Sequence, residues 1–140
     1  MKSVVICGSQ RFKDQIESFA LNLEKIGVPA VFRPEFKDRS RAFVELPESE
    51  RLKEPVYRLR VPGLVHAHLQ RIREADICYV YNENGYVGAN TTLEIGFAHG
   101  LNKIIYAYEN EVFETGGELC REILFNSIIK TPMELYEKLK

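Results

Sequence analysis

The stretch Ala75–Tyr108, A-D-I-C-Y-V-Y-N-E-N-G-Y-V-G-A-N-T-T-L-E-I-G-F-A-H-G-L-N-K-I-I-Y-A-Y, decides the fold. Ile77 to Tyr81 is a short unbroken apolar run, the pattern of a strand buried on both faces. Asn82 to Asn90 carries two glycines and three asparagines, so the chain turns there. A helix is expected from about Thr91, with Leu93, Phe97, Ala98 and Leu101 on one stripe, and Ile104 to Ala107 reads as the next strand. Strand, loop, helix, strand is the repeating unit of a parallel sheet. Ligands bind such sheets where strands end and helices begin. Glu94 is expected in the first helical turn, at that edge.

The same alternation extends outward. Val4 to Cys7 reads as a first strand, Gly8 to Phe12 as a turn, Lys13 to Ile26 as an amphipathic helix stopped by Gly27, and Val28 to Arg33 as a second strand. A helix over Pro62–Glu74 leads into the opening stretch. After it come a short helix ending near Leu124, a last strand within Phe125–Ile129, and a final helix. That helix starts with Thr131 as cap, Pro132 at its first position and Glu134 at its third. The expected fold is α/β: a flavodoxin-like (Rossmann-like), doubly wound, five-stranded parallel sheet of order 2-1-3-4-5. In that order the Gly8–Phe12 and Asn82–Asn90 loops face one crevice. Residues 1–140 are read as one domain.

Residues 34–62 break the pattern. They hold four prolines, many charges and few apolar anchors, and are read as a long excursion with one short helix near Glu45–Glu54. Its arginines include Arg39, Arg41, Arg51 and Arg58, and its acids include Asp38, Glu45 and Glu48. Mixed charge commonly marks a solvated surface; the alternative is a lid with an arginine on a phosphate.

The bulk composition excludes several classes. A formal net charge of −1 gives no general attraction to a nucleic-acid polymer or an anionic membrane. No apolar run approaches the roughly 20 residues of a membrane span. The N-terminus enters strand-like sequence directly, unlike a signal peptide. Three cysteines without Cys-x-x-Cys spacing point to reduced thiols and a cytoplasmic setting. No cofactor is expected. His66 and His68 are two apart on a helix and cannot face one ligand together, so no metal site is expected there.

The strand ending after A-D, the glycine-containing loop, L-E-I-G-F-A and the following lysine resemble the nucleoside 2-deoxyribosyltransferase family, which includes deoxynucleoside monophosphate N-glycosidases. Gly8-Ser9-Gln10-Arg11-Phe12 is similar to that family's first loop. The topology agrees over the whole chain, and the specific motifs cover residues 8–12 and 75–103. The resemblance implies cleavage or transfer at the N-glycosidic bond of a small nucleoside or nucleotide, with Glu94 attacking the anomeric carbon. It also implies a homo-oligomer, most simply a dimer, to which apolar Phe113, Phe125 and Tyr136 are expected to contribute. Two family aspartates fall here at His68 and Gly88. A histidine at the first position could protonate a leaving base.

Each site residue has a plainer reading beside this one. Thr91 to Glu94 fits a capping box, with Thr91 as cap. A helix N-terminus should keep Glu94 ionised at neutral pH. Gly8, Ser9, Gln10 and Arg11 could cradle a 5′-hydroxyl or 5′-phosphate, or form only a strand-to-helix turn. Asn82, Asn90, Gly88 and Thr91 are candidate substrate contacts, whereas Asn84 suits a left-handed turn. Asp76 is expected to tie down the chain after its helix. The alternative to an enzyme is a non-catalytic nucleotide-binding or sensor domain on the same fold.

Overall fold

The computed structural model describes residues 1–36 and 40–140. The expected charges Asp38 and Arg39 lie outside the described residues. The element order is β1 (Val4–Gly8), α1 (Lys13–Lys25), β2 (Val31–Phe32), α2 (Arg41–Val44), α3 (Glu48–Arg51), α4 (Pro55–Glu74), β3 (Ile77–Tyr81), α5 (Ala89–Gly100), β4 (Ile104–Ala107), α6 (Leu119–Glu122), β5 (Ser127–Ile128) and α7 (Pro132–Leu139). The five strands form one parallel sheet in the order β2-β1-β3-β4-β5. This is the expected doubly wound arrangement.

The two-residue period of the strands sorts the core into two layers. Val4, Ile6, Ile77, Tyr79 and Tyr81 pack with Ile16, Phe19, Ala20 and Leu23 of α1 and with Leu135 and Leu139 of α7. Val5, Cys7, Cys78 and Val80 pack on the other side with Ile72 of α4 and with Ile95 and Ala98 of α5. Burying each such Ile or Leu contributes roughly 1.5–3 kcal/mol. The polar handle of Tyr79 is used: its hydroxyl donates to the Ile129 carbonyl at 2.6 Å, and its ring stacks on Phe19. Because Cys7 follows Ile6 by one residue, its side chain faces α4 and α5.

Several boundaries differ from expectation. The short edge strands β2 and β5 pair over two residues each. The excursion folds into two single-turn helices, α2 and α3, instead of one. Ser40 caps the first, its hydroxyl accepting from Phe43 N–H. The next helix begins at Pro55, seven residues before Pro62, and continues past it. Pro55 takes the first position and Glu54 caps it by accepting from Val56 N–H. That cap accounts for the early start, and Pro62 is carried inside the helix.

Helix α5 also begins early. Gly88 is its N-cap, and the Thr92 hydroxyl donates to the Gly88 carbonyl. Glu94 therefore sits in the second turn, and the expected Thr91–Glu94 capping box does not form. At α7 the Thr131 cap forms as expected, while the Glu134 carboxylate accepts from Lys130 N–H. Asp76 accepts from both the backbone N–H and the hydroxyl of Ser3, tying the start of β3 to that of β1. Of the apolar residues expected at an interface, Phe113 is exposed, whereas Phe125 and Tyr136 are partly buried against the core. Among the described residues no helix is long and apolar enough to cross a membrane.

Candidate active site

The carboxyl end of β1 and the loop between β3 and α5 open into a cavity of about 680 Å³. Its walls include Gly8, Ser9, Gln10 and Arg11 after β1, and Gly88, Asn90, Thr91 and Glu94 at the start of α5. The two loops singled out in the sequence thus face one space. His68 of α4 lines it too, as do Phe43, Glu48, Arg51 and Tyr57 of the excursion and of early α4.

The first loop is held tightly. A Cβ on Gly8 would stand 2.8 Å from Ile16 Cδ1 and 2.9 Å from the Tyr81 carbonyl oxygen, closer than packed atoms allow. The chain turns directly into α1, with the Ser9 hydroxyl accepting from Arg11 N–H at 3.2 Å. The Ser9 side chain is therefore engaged in the turn. The Arg11 guanidinium lies 3.9 Å from the centroid of the Tyr86 ring, so a cation–π contact links the two loops. Arg11 Nε is buried without a hydrogen-bond partner.

Glu94 lies at the cavity floor with 5% of its surface exposed. Its Oε2 has no hydrogen-bond partner. Burial raises its pKa to about 8, against a smaller opposing pull from hydrogen bonding to Cys7. The expectation of a carboxylate kept ionised by the helix N-terminus is thereby corrected: in the second turn, in apolar surroundings, desolvation outweighs the helix end. His68 Nε2 stands 3.7 Å from Glu94 Oε2. Burial, with a contribution from Arg71, lowers the His68 pKa to about 4. Burial thus favours the uncharged form of both groups and works against an ion pair at this contact. The same burial works against the imidazolium form that His68 would need to protonate a leaving base.

Cys7 lies beneath these two residues, fully buried. Its Sγ is 3.5 Å from His68 Nε2 and 3.5 Å from Cys78 Sγ. Hydrogen bonding to Cys78, then burial, holds the Cys7 thiol well above its ordinary range. Nothing in the sequence pattern distinguishes this residue from an ordinary buried strand cysteine. The strand alternation that points it at α4 was the available signal.

Other expected contacts fall elsewhere. Asn82 is fully buried, and its amide is consumed by the Glu109 backbone. It is a structural residue. Asn84 adopts φ 59°, the left-handed turn expected of it. His66 and His99 are exposed. Arg51, on the excursion wall, pairs with Glu48 at 2.8 Å, and the Glu48 carboxylate also accepts from the Tyr57 hydroxyl. This network gives the wall its polar lining.

No protein-family model matches the chain, and no curated protein matches it. Two solved structures align over 99% of this chain and 97% of their own. One is the CMP N-glycosidase BcmB of Clostridium botulinum, at 21% identity and a TM-score of 0.49. The other is a conserved protein from Enterococcus faecalis V583, at 13% identity and a TM-score of 0.54, a likeness of fold alone.

Proposed function

We propose that this protein cleaves the N-glycosidic bond of a small deoxynucleoside or its monophosphate, with Glu94 as the nucleophile. The observation that carries the reading is a buried carboxyl, with one unpartnered oxygen, on the wall of a cavity framed by two strand-end loops. A buried, perturbed carboxyl in a cleft is a candidate for chemistry rather than for stability. The L-E-I-G-F-A resemblance supplies the reaction class.

The step follows from charge. As the C1′–N bond breaks, its electron pair leaves with the base, and positive charge grows on the sugar ring. A carboxylate beside that ring is stabilised by the growing charge, which supplies the partner that Glu94 Oε2 lacks. Glu94 oxygen then bonds C1′ to give a glycosyl ester, and the proton that its buried carboxyl favours in the free protein passes through water to the departing base. Water, or a second base, displaces Glu94 from C1′. His68 is not the donor in this scheme, because burial favours its neutral form; its Nε2 stands 3.5 Å from Cys7 Sγ and 3.7 Å from Glu94 Oε2. Gly88, Asn90 and Thr91 line the sugar side of this arrangement. Gly8 to Arg11 line the 5′ side, where Arg11 can exchange its Tyr86 contact for a phosphate.

The same reading includes a homodimer. Leu59 and Leu93, on the adjacent helices α4 and α5, are 81% and 68% exposed, and Leu93 borders the cavity. Light scattering at micromolar concentration tests it, and a monomer alone would remove this part.

The deciding experiment is a chromatographic screen of deoxynucleosides and their monophosphates for base release, with and without free bases. Turnover is expected in the unmutated protein and is expected to vanish in Glu94→Gln while ligand binding persists. Turnover surviving that change would refute the nucleophile assignment. One feature favours a second reading, a non-catalytic nucleotide-binding domain: a neutral His68 and a side-chain-free Gly88 stand where the resembled family has aspartates. Binding without turnover in the unmutated protein would select it.

A further inference from the structure

We propose that Cys7, His68 and Glu94 form a site for one zinc-type divalent cation at the cavity floor, and that metal and glycosyl chemistry compete for the same Glu94 carboxylate. The competition rests on the functional reading above; the metal site does not.

The three side chains come from three separate elements, β1, α4 and α5, and converge on one point. Cys7 Sγ, His68 Nε2 and a Glu94 oxygen all lie within 4.8 Å of one another, and all three residues are buried. In a tetrahedral zinc site, ordinary bond lengths put sulfur and nitrogen ligands about 3.6 Å apart, and nitrogen and oxygen ligands about 3.4 Å apart. The observed separations are 3.5 Å for Cys7 Sγ to His68 Nε2 and 3.7 Å for His68 Nε2 to Glu94 Oε2. Thiolate, imidazole and carboxylate are the donor types zinc takes, and three protein ligands leave a fourth position for water or substrate. Here that position faces the cavity, since His68 and Glu94 line it.

One further observation and one argument from charge point the same way. Glu94 Oε2 is buried and has no hydrogen-bond partner among the described residues, so its lone pairs are available to a cation. The charges also balance. Ligation takes Cys7 as thiolate, Glu94 as carboxylate and His68 through a neutral ring lone pair, and any protons those atoms hold leave to solvent. A dication with two anionic ligands is a neutral unit, which suits a buried floor better than either bare anion. Cys78 Sγ, 3.5 Å from Cys7 Sγ, can donate its S–H to the bound thiolate as an outer support.

Cobalt(II) is the probe, because thiolate ligation gives a near-ultraviolet charge-transfer band. The full-length protein, stripped with EDTA, is titrated with cobalt chloride. We expect a band that saturates at one equivalent and is displaced by zinc. Cys7→Ser should remove the band and Cys78→Ser should retain it. Absence of the band in unmutated protein overturns the site, as does its survival in Cys7→Ser or its loss in Cys78→Ser. Should either cysteine variant fail to fold by circular dichroism, Glu94→Gln decides. It keeps the shape but loses an anionic ligand, so cobalt affinity should fall by more than about tenfold, as losses even in outer support do. Unchanged affinity there overturns the site. This readout needs no turnover, so its failure is distinct from failure of the glycosidic reading. In protein that does turn over a deoxynucleotide, one equivalent of zinc should abolish release of base, and EDTA should restore it. Turnover of the zinc-loaded protein at the metal-free rate would overturn the competition.

Discussion

Asn82 and Glu109 exchange two hydrogen bonds of 2.8 Å each across the ends of β3 and β4: the Asn82 amide donates to the Glu109 carbonyl, and its oxygen accepts from Glu109 N–H. One side chain thus imitates a backbone strand where the two strands part. Asn82→Ala should strip both partners at once and destabilise the fold by about 2–3 kcal/mol, by the cost of unsatisfied buried groups. Urea unfolding checks this. A change below about 0.5 kcal/mol would mean that water replaces the amide without penalty.

A second polar knot lies behind α5. The Glu111 side chain has no exposed surface and accepts from Arg121 and from Glu118 N–H, while Arg121 also reaches Thr92 and the Gly116 carbonyl. Arg121→Met should leave a buried carboxylate unpaired and cost about 3–5 kcal/mol. Adding Glu111→Leu should recover much of that loss, since the unpaired charge disappears. Thermal melts of the two single variants and the double variant test the pair, and equal losses in Arg121→Met and the double variant would contradict it.

Stability of the metal-free protein should depend on pH through two opposed groups on the cavity floor. Glu94, raised to about 8 from 4.5, holds its proton longer in the folded state, so stability falls as pH rises between those values. His68, lowered to about 4 from 6.5, works the other way, adding stability as pH rises through its own window. Cys7, held above its ordinary 9.0, titrates outside both windows. Below pH 6.5 the two slopes oppose. From about 6.5 to about 8 only the Glu94 slope remains, a loss on the order of 2 kcal/mol by linkage. Urea midpoints across this range in EDTA should fall for the unmutated protein and stay level for Glu94→Gln. A level profile for both would show that Glu94 ionises in the fold as it does in water.

Two glycines should respond to alanine with opposite signs. Gly85 has φ +75°, and a Cβ there would lie 2.6 Å from Val112 Cγ2. Gly96 lies inside α5 with nothing within 4 Å of its would-be Cβ. Gly96→Ala should stabilise by up to about 1 kcal/mol through helix propensity. Gly85→Ala should destabilise by more than about 1 kcal/mol, from strain at a positive φ. Melting temperatures of the pair check both signs.

The sheet order was legible because each buried strand is a short apolar run followed by a turn. The alternation of runs such as Val4–Cys7 and Ile77–Tyr81 with amphipathic helices admits few topologies. Helix starts were less legible, because a start depends on which residue wins the cap. Pro62 and Thr91 each look like one, yet Glu54 and Gly88 take the role. In the candidate site, Glu94 and the Gly8–Arg11 loop carry a local pattern and could be picked out. Cys7 could not, since its neighbours His68 and Glu94 reach it only through tertiary packing. The upward pKa shift of Glu94 is hidden from the sequence for the same reason: the helix end is a sequence feature, whereas the burial of the cavity floor is not.

The cavity has a floor built on the sheet and a wall built on two one-turn helices of the excursion. No residue of α2 or α3 is buried, whereas Glu94 and His68 lie within the packed layers beneath. On the proposed function, reactivity and admission would therefore be carried by pieces of chain under different packing constraints. Replacing surface-facing residues between Ser40 and Leu52 should change which molecules enter while leaving the unfolding midpoint nearly fixed. A ligand screen run beside a melt would expose the reverse, a wall whose alteration unfolds the whole. On this division, relatives sharing the floor could diverge quickly in what they accept, by drift in a stretch of sequence that looks like ordinary surface.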